Sequence, residues 1–398
     1  MIDNQPSVRR LLAAHSPSLH DHVRTFGPRP APAAAELIGE LERAGLDGRG
    51  GAGFPVHRKL QTVAAQPRRR GTPIVIGNGS EGEPLSAKDA TLLAAAPHLV
   101  LDGLLICADA LGATEAHLVV GALTEAGVRA ALAERSDTHA VRLRVETGGF
   151  VGGEATAVVA GIAGGRPVPA DRPARLAVSG LHRRPTMVQI VETLAHIALI
   201  ARHGAVWHRA VGTTDAPGTR LVSVSWGQHT PRVFEVLGGS SLRSLLHAAG
   251  APDATSTLVG GFHGAWVPAS ALDAPLSVAG LAPYGASPGA GILHPLAQGA
   301  CGIQVTARTL ATLAAASAGQ CGPCANGLPR IVELMRELLA GADTVAELRR
   351  IAGLIEGRGA CHHPDGTIRM LRSALVVFAD DVAAHAHGHC LARSEVKA

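Results

Sequence analysis

Aromatic residues are scarce in this chain. Phenylalanine, tyrosine and tryptophan make up 3% of its 398 residues, too few to supply the stacking platforms that hold single-stranded nucleic acid. Lysine is scarcer still: the lysines are Lys59, Lys88 and Lys397, and every other basic side chain of that class is arginine. The arginines are spread out and the formal net charge is only +4, so no nucleic-acid partner is expected. Charged residues reach 17% against 46% hydrophobic, a balance that excludes a disordered chain. Long apolar runs are also missing. A membrane span needs about 20 apolar residues in succession, and the best stretch, Leu92 to Ala113, is broken by Pro97, His98, Asp102 and Asp109. The first residues carry neither an apolar core nor a small-residue cleavage site, so a signal peptide is not expected and a cytoplasmic location follows by default. In that compartment the six cysteines are not expected to form a disulfide framework.

At roughly 150 residues per domain the length predicts two or three domains. Apolar spacing predicts a helix from Ala33 to Gly45, a strand over Pro73–Gly77 and a buried helix over Leu92–Leu111. Strands are expected at Ala116–Val120 and Val141–Val145, the second feeding a glycine-rich turn and an Ala/Val helix. Strand, glycine turn and helix in repetition predict an α/β domain whose ligand sits at the strand ends. The composition becomes linker-like near Thr213, and two alternating segments, Arg220–Ser225 and Pro231–Val236, precede a helix over Ser241–Ala249. That pattern suggests a small β-grasp-type domain. Beyond Thr306 three apolar stripes, starting at Leu328, Val345 and Met370, predict an all-α helical bundle. The expected division is 1–215, 216–300 and 301–398.

Four places carry chemistry. Gly48-Arg49-Gly50-Gly51-Ala52-Gly53-Phe54-Pro55 offers backbone N–H groups to an anion ahead of a helix, with Arg49 and Lys59 as charge; a tight surface turn is the plainer alternative. Asn78-Gly79-Ser80-Glu81-Gly82-Glu83-Pro84 closes a strand with two carboxylates, suited to ribose hydroxyls or the polar edge of a flavin, or simply solvated. Gly152-Gly153-Glu154 repeats the theme. Three such turns on one domain imply a nucleotide-sized pocket. Cys321-Gly322-Pro323-Cys324, with Cys361 further on, reads as an iron–sulfur or zinc ligand set, a redox dithiol, or buried thiols. Cys107 reads as a core residue, and His385-Ala386-His387-Gly388-His389-Cys390 as an exposed tail, a tract that near a chain end can also pick up metal adventitiously.

Taken in order, the glycine loop, the Asn78–Pro84 turn, Gly152-Gly153-Glu154, Ser179-Gly180-Leu181, Val191-Glu192-Thr193 and the Cys321–Cys324 pair resemble the NADH- and FMN-binding subunit of respiratory complex I. NAD-linked hydrogenases and formate dehydrogenases share that family. The resemblance, from about residue 35 to about 385, implies an FMN-binding α/β domain, a small soluble-ligand-binding β-grasp domain and a four-helix domain with a 4Fe-4S cluster. It implies that Gly48, Arg49, Gly50, Gly51, Gly53 and Lys59 line FMN and its phosphate. By the same resemblance Asn78, Glu81, Glu83, Gly153 and Glu154 line the flavin and nicotinamide side, with Glu81 and Glu83 nearest the chemistry. Phe54 would pack on NADH, and Cys321, Cys324 and Cys361 would bind iron. The implied reaction is hydride transfer from NADH to flavin, then single electrons to the cluster and on to a ferredoxin-like or other iron–sulfur subunit, or a quinone-linked acceptor, within a larger redox complex.

The chain departs from the family at several places. Ala318 replaces the first cluster cysteine, so the site would hold a 3Fe-4S cluster, a 4Fe-4S cluster with a non-cysteine ligand such as His362 or His363, or no cluster. Ser80 stands for an aspartate, Ala155 for a glutamate and Phe150 for a tyrosine, while Gln189-Ile190 replace two asparagines. Leu60, Thr62 and Arg175 lie near places where the family has aromatics for NADH. Two rival readings follow: an FMN-binding chain that has lost NADH oxidation, and a zinc-stabilised, non-enzymatic module built on the same three cysteines and a histidine.

Overall fold

The computed structural model describes residues 9–171, 174–226, 230–251 and 253–394; Lys397 lies outside them. The chain divides into two compact units. The first comprises the described residues through Val168, those from 174 to Ser223, and Val233–Ser240; the second comprises Pro169–Asp171, Val224 onward to Arg232, and the chain from Ser241.

In the first unit, Ile74, Val75 and Ile76 make β1 (Ile74–Gly79) apolar on both faces, as an inner parallel strand requires. β2 (Glu115–Val120), β3 (Val141–Val145) and β4 (Thr186–Ile190) complete an all-parallel sheet in the order β3-β2-β1-β4. The chain winds outward from β1 through β2 to β3, then returns to place β4 on the other side of β1. At such a reversal a crevice opens beyond the carboxyl ends of the strands, where open α/β sheets bind ligands. Here Asn78 is in register with Ile190 across the reversal. The Rossmann-like α/β class read from the sequence is the class of this unit.

The apolar stretch near Leu92 is two helices, Lys88–Ala95 and Pro97–Leu111, bent by 95°, where the periodicity predicted one. Pro97 disfavours helical backbone at Ala96, which takes φ −140° and ψ 53°. The second helix is buried along nearly its whole length and packs on the helix Val191–Arg209 as core. Among the described residues no single helix is long and apolar enough to cross a membrane. Buried Asp102 accepts from His22 Nε2 at 2.8 Å, from Arg135 at 2.7 Å and from Arg202. Burial works against ionisation there, but His22, Arg135 and Arg202 prevail and hold its carboxyl down at about 2.

β5 (Thr219–Val224) and β6 (Arg232–Leu237) form at the two alternating segments, followed by the helix Leu242–Ala249, which Ser241 caps. In the second unit β7 (Ser256–Val259) pairs antiparallel with β8 (Ala265–Pro268) and β9 (Ile292–Pro295). The helices Gly302–Ala315, Leu328–Leu339, Val345–Ile355, His363–Val377 and Ala379–His385 follow. Their stripes are buried as expected except in the Val345–Ile355 helix, where Val345 and Ile351 are half-buried and Leu354 is 46% exposed. The tail reading fails at His385: it ends a helix and is buried, whereas His387 and His389 are exposed.

Candidate active site

The Gly48–Pro55 loop is pinched at its base, where Asp47 bridges to Pro55 and Gly48 N donates to the Phe54 carbonyl at 3.0 Å. Gly51 (φ 103°) and Gly53 (φ 61°) adopt the left-handed backbone that favours glycine. The loop runs straight into the helix Val56–Ala64, whose amino end carries partial positive charge. The last residue of β4 and the turn after it fix it over the reversal: Arg49 N donates to Thr193 Oγ1 at 2.9 Å, and a Cβ on Gly50 would sit 3.8 Å from Ile190. Lys59 Nζ donates to the Val188 carbonyl at 2.9 Å and to Gln189 Oε1 at 3.3 Å, both neutral acceptors. Burial pushes its ammonium down to about 8. Arg49 Nε and Gln189 Nε2 are buried with no partner among the described residues. Glycine N–H groups, a helix amino end and under-satisfied donors form a set that fits an anionic phosphate such as that of FMN. Phe54 stands beside it, 42% exposed.

The two acidic turns meet at the carboxyl end of β1. Asn78 Nδ2 donates to the Gly153 carbonyl at 2.9 Å, and its Oδ1 accepts from Ser80 N at 3.1 Å. Gly82 approaches the second turn so closely that a Cβ would lie 2.5 Å from the Gly149 oxygen. The carboxylates differ in what they do. Glu81 accepts from Asp89 N at 3.1 Å and Ala90 N at 3.0 Å, capping the Lys88–Ala95 helix. Glu154 caps the Ala155–Ile162 helix through Thr156 N at 2.8 Å and Ala157 N at 3.2 Å. Both side chains therefore hold the turns in shape. Glu83 is half-buried, its Oε1 accepting from Leu85 N at 3.4 Å.

A buried ionic group escapes the sequence reading. Lys88 Nζ donates to Asp89 at 2.8 Å and to Glu192 at 2.9 Å, and Glu192 also accepts from Leu221 N at 2.8 Å. Burial disfavours the Lys88 ammonium, but the two carboxylates outweigh it and raise its pKa. Burial pushes the Asp89 carboxyl up to about 7, with Lys88 opposing and Glu81 adding. The group fixes the first turn of the Val191–Arg209 helix, the same turn whose Thr193 holds the glycine loop. Its only sequence signals are a lysine kept where arginine dominates and a glutamate opening an apolar helix.

In the second unit Cys321 lies in the turn before a π-helical segment, Pro323–Gly327, that contains buried Cys324; such segments recur at functional sites. Half-buried Cys361 precedes the His363–Val377 helix. Burial pushes the Cys324 thiol up to about 12, and Cys321 and Cys361 add to the effect, so the three sulfurs share one neighbourhood. Against burial, the Ala360 and Cys324 N–H groups and the Cys324 thiol lower the Cys321 pKa. The described cysteines form no disulfide. Three such thiols fit an iron–sulfur cluster with one corner not held by cysteine, since Ala318 offers no donor. His363 cannot fill that corner: Nδ1 meets His263 at 3.0 Å and Nε2 the Leu313 carbonyl at 2.9 Å. His362 is fully exposed.

Comparison with known proteins covers both sites. The family model described as the Nuo51 FMN-binding domain matches residues 41–199, and that of the NADH-ubiquinone oxidoreductase-F iron-sulfur binding region matches 304–385. The F subunit of the NADH-quinone oxidoreductase of Streptomyces coelicolor is 30% identical over 393 residues, covering 92% of this chain and 87% of its own. The HndC subunit of the NADP-reducing hydrogenase of Solidesulfovibrio fructosivorans is 28% identical, covering 88% and 76%. A crystal structure of an NAD+-reducing NiFe hydrogenase in the H2-reduced state superposes with a TM-score of 0.81 at 27% identity. The match covers 92% of this chain but only 64% of that hydrogenase chain.

Proposed function

The chain belongs to the family of NADH-quinone oxidoreductase F subunits, and on that premise we propose that it oxidises NADH and passes the electrons on singly through a larger redox complex. The observation that carries this is the pairing of an anion-seeking glycine loop at the sheet reversal with three clustered thiols in the second unit. When bound, FMN supplies hydride acceptance from NADH and the cluster supplies one-electron transfer. The chain's own residues do the positioning. Gly48, Gly50, Gly51 and Gly53 let backbone N–H groups approach the phosphate, and Lys59 and Arg49 neutralise it. Asn78 and Gly153 set the distance between the two acidic turns. Glu81 and Glu154 keep those turns rigid, and Glu83 faces the nicotinamide beside Phe54. Cys321, Cys324 and Cys361 hold the iron.

The family matches favour this reading over a retired nicotinamide site and over a zinc-stabilised, non-enzymatic module. We also propose the three-part division at 215 and 300, a cytoplasmic location, and a ferredoxin-like or other iron–sulfur subunit as the electron partner. The test is NADH oxidation by the flavin- and iron-loaded protein with ferricyanide as one-electron acceptor. Glu83→Gln is expected to lower kcat/KM for NADH by about tenfold or more, as loss of one charge-assisted contact would, with FMN content unchanged. No NADH oxidation by loaded wild-type protein would overturn the proposal.

A further inference from the structure

Three ligand-type side chains converge in the second unit, and the flavin and iron–sulfur reading uses none of them. Cys301 Sγ, one ring nitrogen of His385 and Cys390 Sγ all lie within 4.8 Å of one another. Cys301 and His385 are buried and Cys390 is half-buried. Within this group His385 Nε2 stands 3.2 Å from Cys301 Sγ. The residues come from opposite ends of the helical region. Cys301 precedes the Gly302–Ala315 helix, and its sulfur accepts from Gln304 N at 3.4 Å. Helix N-caps are ordinarily Ser, Thr, Asp or Asn, and a sulfur there that also takes an N–H bond is arranged as a metal thiolate would be. His385 closes the Ala379–His385 helix, and Cys390 follows five residues on. The Asp381 carboxylate, one turn before His385, is close enough to act electrostatically on Cys301.

We propose that Cys301, His385 and Cys390 bind one zinc ion, with Asp381 or a water as fourth ligand. Two thiolates and an imidazole are the soft-to-borderline donors that select zinc over magnesium or calcium, and four ligands complete its tetrahedron. Binding replaces the two thiol protons, which leave to solvent, and no electron is transferred. The ion ties the start of the Gly302–Ala315 helix to the end of the Ala379–His385 helix, and its binding energy adds to the stability of that packing. The proposal is independent of the flavin reading and of the zinc module suggested by the sequence, which uses Cys321, Cys324 and Cys361.

The experiment is metal analysis of the full-length protein, purified anaerobically, beside its FMN and iron content. The wild type is expected to carry about one zinc per chain, and Cys390→Ser and His385→Gln less than about a tenth of that, with FMN and iron unchanged. Cys321→Ser is expected to lose iron and keep its zinc. Should the site variants fail to fold, the wild type stripped by a chelator should show a lower Tm that added zinc restores. Cobalt(II) in its place should give the visible bands of a tetrahedral thiolate complex. Zinc absent even after anaerobic titration with zinc sulfate, zinc lost with Cys321 but not with Cys390, or a Cys301–Cys390 disulfide in the anaerobic protein would each overturn the site.

Discussion

Replacing Lys59 with methionine should weaken FMN binding while making the flavin-free protein more stable. The ammonium is held at about 8 against its ordinary 10.5, because burial strips water from it and its partners are neutral. At about 1.4 kcal/mol per tenfold change in proton affinity the shift is worth about 3 kcal/mol, and screening at this half-buried side chain leaves about 1–2 kcal/mol. The unfolded chain binds the extra proton between pH 8 and 10.5, so the penalty is fully present below pH 8 and fades as pH rises to 10.5. Lys59→Met removes it, and at pH 7 the apo-protein should melt higher than wild type. A bound phosphate reverses the balance, since a charge-assisted hydrogen bond contributes about 1.5–3 kcal/mol. FMN affinity should therefore fall about 10- to 100-fold in the variant at pH 7. Titration of FMN fluorescence from pH 7 to 9.5 reads both effects. Wild-type affinity should decline as pH rises past about 8, where Lys59 loses its proton, whereas the variant's should stay flat. Riboflavin, lacking the phosphate, should not distinguish the two proteins. An FMN affinity within about twofold of wild type, or an equal loss for riboflavin, would refute the placement of the phosphate at Lys59.

Lys88→Met should destabilise the first unit by about 3–5 kcal/mol, because Asp89 and Glu192 would remain buried without their cation; urea unfolding with equal m-values measures it. The Asp102 carboxyl, lowered from 3.8 to about 2, contributes stability that is present above pH 3.8 and lost as pH falls through about 2. Asp102→Asn should flatten acid unfolding over that window and lower stability at pH 7 by about 3–5 kcal/mol. Ala318→Cys supplies the missing thiolate and should raise iron from about three to about four per flavin; an unchanged ratio would mean that another group already holds that corner.

Most of the first unit is legible in the sequence because its signals are local. A β-type run over Ile74–Gly77, glycine turns after strands and apolar stripes at helical spacing each describe a few consecutive residues. Legibility ends where tertiary context decides. Leu92–Leu111 keeps an apolar helical pattern through Ala96, and only the backbone there shows that Pro97 begins a new helix. Glu81 and Glu154 look ligand-facing in sequence because acidic residues in turns usually are polar and available. Their roles depend on which N–H groups stand opposite, and no sequence pattern shows that Glu81 reaches over to Asp89 and Ala90. Lys88 and Glu192 are 104 residues apart, so nothing local joins them. The His385 region looks like a tail because histidine, alanine and glycine alternate without a stripe, yet His385 packs against Cys301, 84 residues away. The thiol pair Cys321–Cys324 is legible from its spacing, and the loss at Ala318 from the family pattern. The exclusion of His363 as a ligand needs its two hydrogen-bond partners.

A single chain that holds both FMN and an iron–sulfur cluster should take its electrons from NADH. An anaerobic absorbance spectrum of the purified protein, with FMN and iron measured on the same sample before and after NADH is added, tests it most directly. A flavin spectrum with a broad iron–sulfur shoulder is expected, both bleached by NADH. Bound FMN that ignores NADH, or neither chromophore after reconstitution, would contradict it.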